Sequence, residues 1–420
     1  MHKMKALAIM LIALTMLLVT ACSGSGGGTT SADPPKAEEK VEAKTEALDA
    51  KDQEKDKPEE QAKKELPAFD MGGEPVKFMT WGGPPEEGKT NQEDVPSLAQ
   101  QGYLRPVDDL INLDDPKWPK KIKEFSSFGG KIYGLVENVG AGAGLYYNRT
   151  LLKREGLEAP HELIKKGEWT WDKYLEMAKK ATKDLNGDGA IDQWGIVSYA
   201  PVHARQLVYS NNGNIVEDKD GKLNFGLGDP NSMEALRFLY DLHNTHKVVM
   251  PNKNGNFEDY NETQKMFHSG KALFVTGEIW EGSGREEMTD EFGFVYFPKG
   301  PKANDYANPI TNFTMWFMPV NVKKAKEKAQ IFEDMVPWDS LEQFRQEEVE
   351  YSVQSPEDVE VALDLPNKII PLYYDGIGDI GVKYNEAILS FVRGKDTPES
   401  AIEKIKKASA RSVERTGLVG

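Results

Sequence analysis

Two hydrophobic rhythms alternate along most of this chain. In "TWDKYLEMAKKATKD" the apolar residues Trp171, Tyr174, Leu175 and Ala178 recur at three- and four-residue steps between charges, the spacing of a helix with one buried face. Thr170 stands where an N-cap is expected, and Asp172 falls in the first turn. "DPNSMEALRFLYDLHNTHKVV" predicts another amphipathic helix. "TQKMFHSGKALFVTGEIW" predicts a helix, a glycine stop and then a buried strand, and "FGFVYFPKG" and "WGIVSYA" predict further strands. Upstream, "PVKFMTWGG" predicts a strand ending in a glycine turn, "DVPSLAQQGYLRPVDDLI" a helix-like stretch, and "GGKIYGL" a short strand. The last third is mostly helical and ends in "TPESAIEKIKKASARSVERTG". Strands alternating with helices predict α/β lobes whose sheets are covered on both faces.

The first 72 residues follow neither rhythm. "MHKMKALAIMLIALTMLLVTAC" has a short basic start and an apolar run from Ala6 to Val19, too short to span a bilayer comfortably. Residues 1–21 therefore read as a cleaved signal peptide. Val19-Thr20-Ala21-Cys22 resembles the bacterial lipobox, in which the cysteine is lipidated and becomes the mature first residue. Cys22 is the only cysteine in the chain, so no intramolecular disulfide is available and the fold must rely on its core. Residues 22–72 are Gly/Ser-rich and then dense in mixed charge. They bury too little to offset ordering entropy, and so read as a disordered tether behind the lipidated cysteine. The expected location is the outer face of a cytoplasmic membrane, with the bilayer as a partner through Cys22.

Charge and length then narrow the field. The 420 residues suit two lobes plus tails, and a formal net charge of −16 with no basic aromatic cluster excludes nucleic acid as a partner.

The segments "GYLRPVDDLI", "GGKIYGL", "GLYYNRTLLKREGLEAP", "WTWDKYLEMAKKAT", "FHSGKALFVTGEIW", "FGFVYFPKGP" and "GKDTPESAIEKIKK" resemble, in content and order, the extracellular solute-binding proteins of sugar ABC transporters, the class of maltose-binding protein. That resemblance implies an α/β fold of the two-lobe periplasmic-binding-protein type (type II). Its lobes are discontinuous in sequence and the ligand lies in the cleft between them. It places an N-terminal lobe in residues 73–139 plus 297–352 and a C-terminal lobe in 140–296 plus 353–420. Crossings are implied near Val139–Gly144, near Tyr296–Pro298 and around Val349–Glu357. One departure matters: only "GGPPEEGKTNQE" separates Trp81 from Asp94, where the family carries a helix, a strand and a second helix. The N-terminal lobe therefore reads as trimmed.

Candidate chemistry is of two kinds. "DLNGDGAIDQWG" places Asp184, Asn186, Asp188 and Asp192 at positions one, three, five and nine of an EF-like calcium loop, with the Ala190 carbonyl available at seven. Position twelve is Gly195 rather than a bidentate Glu, and a strand follows where an EF-hand has its second helix. A Ca2+ ion here is expected to be structural, stiffening a loop; the alternative is a solvated Asx/Gly turn without metal. The second kind is aromatic. Sugars stack their CH-rich faces on Trp and Tyr while acids, amides and Arg take the hydroxyls. By resemblance, Trp81 and Trp280 are carried over as strand-end residues facing the cleft. Trp316, Glu137, Arg205, Tyr374 and Asp375 are placed by their segments alone, and Trp316, flanked by Phe313 and Phe317, also fits an ordinary core position.

Other features carry less. His243 and His246 lack partners at ligand spacing, and "GAGAG" from Gly140 to Gly144 lacks the context of a nucleotide loop, reading instead as backbone freedom at a lobe crossing. No nucleophile motif is present. The expectation is a monomeric, lipid-anchored binding protein, not an enzyme, that captures a carbohydrate for an ABC permease pair. The alternative is a non-transporting surface sensor or scaffold derived from the same fold.

Overall fold

The structure, a computed structural model, describes residues 95–415 except 119–120, 122, 124–125, 137–141, 220–221, 252–259, 286, 311–314, 337 and 373–378. The described residues belong to one compact unit, residues 68–420. The signal peptide, Cys22, the tether and the strand expected at "PVKFMTWGG" lie outside them.

In chain order the elements begin with helix α1 (Val95–Gln100) and three two-residue strands, β1 (Ser127–Phe128), β2 (Lys131–Ile132) and β3 (Gly134–Leu135). Strand β4 (Ala143–Asn148) leads into helices α2 (Arg149–Arg154), α3 (Pro160–Lys166) and α4 (Trp171–Ala181), then strand β5 (Trp194–Val197) and helix α5 (Ala200–Ser210). A hairpin of β6 (Val216–Lys219) and β7 (Lys222–Phe225) precedes α6 (Pro230–Tyr240), α7 (Tyr260–His268), β8 (Ala272–Glu278) and β9 (Phe292–Val295). Short strands β10 (Asn308–Ile310) and β11 (Trp316–Phe317) follow, then α8 (Ala325–Met335), α9 (Leu341–Ser352) and α10 (Pro356–Asp364). Strand β12 (Ile369–Pro371) and helices α11 (Ile380–Val392) and α12 (Pro398–Arg415) close the chain. Among the described residues no helix is long and apolar enough to cross a membrane.

The sheet that organises the molecule has strand order β5-β8-β4-β9. It is mixed: β4 runs antiparallel to both β8 and β9, with Tyr146 opposite Val275 and Phe294, while β5 runs parallel to β8. Side-chain alternation sorts its residues onto two faces. Leu145, Tyr147, Ile196, Phe274 and Val295 join one core with Trp169, Tyr174 and Ala178. Tyr146, Val197, Val275 and Phe294 join a second with Val349, Val361 and Leu365 from the C-terminal helices. Both faces are therefore covered, as the continuous apolar runs require.

Of the stretch "DVPSLAQQGYLRPVDDLI", expected to be helix-like, only Val95–Gln100 is helical, and Leu104 bridges Pro319 instead. Thr170 does occupy the N-cap of α4 in an extended conformation, yet its side chain makes no capping bond. The helix start is held instead by the Trp171 amide donating to the Lys299 carbonyl at 2.9 Å.

Two remote segments meet at β10 and β12, which pair in parallel. Asn308 of β10 is wholly buried; its Oδ1 accepts from the Ala143 amide at 3.0 Å and its Nδ2 donates to the Leu365 carbonyl at 3.1 Å. Gly142 adjoins this knot with φ +86°, and a Cβ there would lie 2.0 Å from Asn308 Nδ2, so both its conformation and its closeness call for glycine. The rest of the "GAGAG" freedom, Gly140 and Ala141, lies outside the described residues. The stretch Val349–Glu357 spans the end of α9, a short link and the start of α10.

Candidate functional site

Strand β8 carries the site. It stays buried through six residues until Glu278, and the chain then turns through a 3-10 segment, Ile279–Arg285, that projects Trp280. Trp280 is 56% exposed, and its Nε1 donates to Glu278 Oε2 at 2.7 Å, so the indole is gripped by its edge.

What holds this turn is a buried polar cluster. Arg285, 1% exposed, donates from Nη2 to Glu281 Oε2 at 3.1 Å and lies 3.8 Å above the Tyr146 ring. The other Glu281 oxygen accepts from the Glu278 amide at 2.8 Å. Tyr146 donates from its hydroxyl to the Glu278 and Ile279 carbonyls at 3.0 and 2.9 Å. Burial pushes that hydroxyl far above its ordinary range, so it stays a neutral donor. The end of α9 closes on the same turn, with Gly282 so near the Ser352 carbonyl that a Cβ would stand 1.8 Å from it. Removing one ion of the Arg285–Glu281 pair would leave the other buried without compensation.

Beside Trp280 is a small recess of about 60 Å³, walled by Arg205 and Gln206 of α5, Gln264 of α7, and Thr276, Glu278 and Glu281. Helix α5 is unusual: every residue but Val202 is buried, including His203, Arg205 and Gln206. A recess this size is far below the roughly 300 Å³ or more of a small-molecule cavity. It has room for one arm of a ligand, not for a sugar ring.

The candidate residues fall into three groups. Arg205 lines the recess together with Glu278, whose carboxylate accepts the Trp280 N–H. Trp316 goes elsewhere: it pairs in β11 opposite Leu135 of β3, half-buried, with its ring tilted at 5.4 Å from Phe332. Trp81, Glu137, Tyr374 and Asp375 lie outside the described residues. The reading from sequence missed Gln206, Gln264 and Arg285. Nothing in the alternation of "APVHARQLVYS" marks Gln206 as buried, because the helix is enclosed by tertiary packing rather than by its own apolar stripe.

The loop expected to bind calcium is exposed and held by its own hydrogen bonds. Asp184 accepts from the Gly187 and Gly189 amides at 2.7 Å each, and these amides, Gly189 first, hold its carboxyl below the usual range. Asn186 Oδ1 accepts from the Asp188 amide at 2.8 Å, Asp188 from the Ala190 amide at 2.8 Å, and Asp192 from the Leu185 amide at 2.9 Å. Among the described residues no three His, Cys, Asp or Glu side chains stand together as a metal cluster. The side chains tie the loop to itself; an ion would need Asn186 and the Ala190 carbonyl as well as the acids.

Comparisons with known proteins bear on the chain at this point. The family model described as bacterial extracellular solute-binding protein matches residues 89–333, more than half of the chain. An arabinooligosaccharide-binding protein of Halalkalibacterium halodurans is 25% identical over 201 residues, covering 46% of this chain and 41% of that protein. A fructooligosaccharide ABC transporter substrate-binding protein of Streptococcus pneumoniae serotype 4 is 25% identical over 238 residues, covering 50% and 42%. The chain thus spans less than half the length of these curated relatives. Among solved structures, an ABC substrate-binding protein from Listeria monocytogenes in complex with cycloalternan superposes with a TM-score of 0.58 at 18% identity, covering 79% of this chain and 84% of that one. A maltose/maltodextrin-binding domain from Bdellovibrio bacteriovorus bound to maltotriose gives 0.55 at 18% identity, covering 77% and 84%. A Mycobacterium tuberculosis protein in complex with glycerophosphocholine gives 0.57 at 14% identity, covering 76% and 82%. These likenesses establish the two-lobe α/β fold.

Proposed function

We propose that this chain, which belongs to the family of bacterial extracellular solute-binding proteins, captures an oligosaccharide on Trp280 and presents it to an ABC permease pair. The observation behind the reading is Trp280 itself, an indole gripped by its edge and 56% exposed, with carboxylates and an arginine beside it. A sugar needs both an aromatic face and convergent polar groups. The relatives whose names mention arabino- and fructooligosaccharides point the same way. Binding is a population shift: contacts to both lobes favour the closed state, and no bond is made or broken. The lobes are those outlined from the sequence, and a lipid on Cys22 keeps the monomer at the extracytoplasmic face of the membrane.

The test is a thermal-shift and calorimetric screen against arabinotriose, 1-kestose and maltotriose, with glycerophosphocholine as the arm for a different ligand class. An oligosaccharide is expected to bind, and Trp280→Ala to weaken it by about 1–3 kcal/mol. A shift with glycerophosphocholine alone would replace the carbohydrate reading.

We also propose that the loop from Asp184 to Gly195 holds a structural calcium ion, on the strength of its alternating oxygens and the sharp turns at Gly187 and Gly189, φ +79° and +87°. Calcium is expected to raise the melting temperature and a chelator to lower it. No heat of binding and an unmoved melting curve would leave a metal-free Asx turn.

A further inference from the structure

An exposed indole makes a binding platform only where the backbone beneath it is fixed beforehand. One buried side chain reaches that backbone on both sides of Trp280. Tyr146 stands opposite Val275, three residues back along β8, and its hydroxyl extends to the strand end. There it shares its proton between the Glu278 and Ile279 carbonyls, at 3.0 and 2.9 Å, and the Gly282 amide faces its oxygen. These are the two residues before Trp280 and the second residue after it. Two glycines make the room. A Cβ at Gly277 would stand 3.1 Å from the Tyr146 ring, and one at Gly282 would stand 3.1 Å from its hydroxyl.

Packing alone does not call for that hydroxyl. The Tyr146 ring is tilted against Phe294 at 4.8 Å and meets Phe292 edge-on at 5.8 Å, within an apolar core where phenylalanine would fill the same space. A buried hydroxyl gives up its hydration and must recover it in hydrogen bonds. Both of those bonds fall on the turn.

The effect passes to the indole through Glu278. Tyr146 holds the Glu278 carbonyl and Glu281 holds its amide, at 2.8 Å, so the side chain that grips Trp280 Nε1 leaves the backbone from a fixed point. On the far side the Ser283 hydroxyl donates to the Trp280 carbonyl at 2.9 Å. A loosened turn lets the indole sample poses that no ligand meets, and ordering it again subtracts from affinity.

We propose that Tyr146, wholly buried and out of reach of any ligand, is a positioning residue whose hydroxyl sets the pose of Trp280 through the turn. Its effect on affinity rests on the proposed carbohydrate function; its effect on the indole does not.

The experiment compares the whole wild-type protein with Tyr146→Phe, Trp280→Ala and the double variant, by calorimetry against maltotriose, 1-kestose and arabinotriose. Fluorine NMR of fluorotryptophan-labelled protein follows the indole without ligand, the Trp280 resonance being the one lost in Trp280→Ala. Tyr146→Phe is expected to weaken trisaccharide binding roughly three- to tenfold, the worth of one hydrogen bond. It is also expected to shift and narrow the Trp280 resonance, while the other tryptophan resonances stay in place. Added to Trp280→Ala it should cost little more, because it acts through the indole. Should Tyr146→Phe not fold, Tyr146→Met is a second hydroxyl-free side chain that adapts to the same space, with the same expectations. An unmoved Trp280 resonance would make the hydroxyl a structural bond only, whatever the melting temperature does, and would overturn the proposal. So would an affinity that holds in Tyr146→Phe, or a full further loss in the double variant. A wild type that binds none of the probes removes the carbohydrate reading, and the Trp280 resonance then decides this inference by itself.

Discussion

The four-stranded sheet and the β3–β11 pair are both strand structures with aromatic residues, yet they are held together differently. In the sheet, β4 is buried at every position and β8 at all but its last, with both faces covered by separate cores. In the pair, each strand has two residues, and the register is one short antiparallel contact, Trp316 with Leu135 and Phe317 with Gly134. What steadies the second region is side-chain packing between segments far apart in sequence. Trp118 meets Trp338 edge-on at 4.7 Å and stacks with Phe332 at 6.3 Å, Trp316 leans on Phe332, and Lys117 pairs with Glu333. Two single bonds, Arg105 N–H to the Met318 carbonyl at 2.7 Å and Val320 N–H to the Tyr103 carbonyl at 2.9 Å, stitch the backbones. A long apolar run brings its own ladder; two-residue strands persist only because other residues hold them in place.

The largest test of this contrast strikes the sheet side at its buried charge. Asp358 of α10 is wholly buried, and its Oδ1 accepts from Arg149 Nη2 at 2.8 Å, His161 Nε2 at 2.8 Å and the Phe294 amide at 3.0 Å. Burial alone would raise this carboxyl. The His161 hydrogen bond, the Arg149 charge and the Phe294 amide outweigh it and bring the carboxyl below its ordinary range. A depressed carboxyl stabilises the fold above the unfolded value near 4 and stops doing so as pH falls through the folded value. Asp358→Ala should cost about 3–5 kcal/mol, because it strands the partners of a buried ion pair. Urea unfolding at pH 7 measures it, and a loss below 1 kcal/mol would mean that α10 is not anchored to β9 through this charge.

Next in size is Trp118→Ala, which should cost about 3 kcal/mol by opening the aromatic cluster. Its signature is regional. Hydrogen exchange should accelerate in residues 95–136 and 315–320 while the amides of β4 and β8 keep their protection. Equal loss in both regions would erase the contrast and make the two regions one cooperative unit.

Acid is a graded probe of the same fold. Burial pushes His203 down to about 3, with the nearby His243 adding to it, and burial alone brings His243 to about 3. The unfolded chain then binds protons that the folded one refuses. Stability should therefore be level above pH 6.5 and fall as pH drops toward 3, by about 1.4 kcal/mol per pH unit for each histidine at most. His243→Leu should roughly halve that slope in a series of urea titrations. An unchanged slope would place the proton uptake elsewhere.

Much of the sheet side was legible in the chain. Continuous apolar runs at "GLYYN" and "ALFVTGE" have no way to be stable except as strands covered on both sides, and the helical spacing of α4, α6 and α12 is present in the letters. Trp280 was marked by resemblance as a strand-end residue, and in the structure it is exposed just past the end of β8. The Arg285–Glu281–Tyr146 cluster and the unpaired amides of Gln206 and Gln264 were not legible. Their meaning depends on burial, and the burial comes from α5, α7, α9 and β8 packing around them.

The sequence by itself determined where helices and buried strands alternate and that the class is α/β, while the resemblance marked Trp280 as a strand-end residue. Those are local consequences of periodicity, and each segment carries its own signal. Only the tertiary structure decided that Trp316 joins Phe332, that β10 and β12 form a parallel pair, and that Gln206 is wholly buried with its amide unpaired. In each case the outcome rests on which distant side chains arrive at the same place. A residue's neighbours along the chain do not fix that; close packing of the whole does.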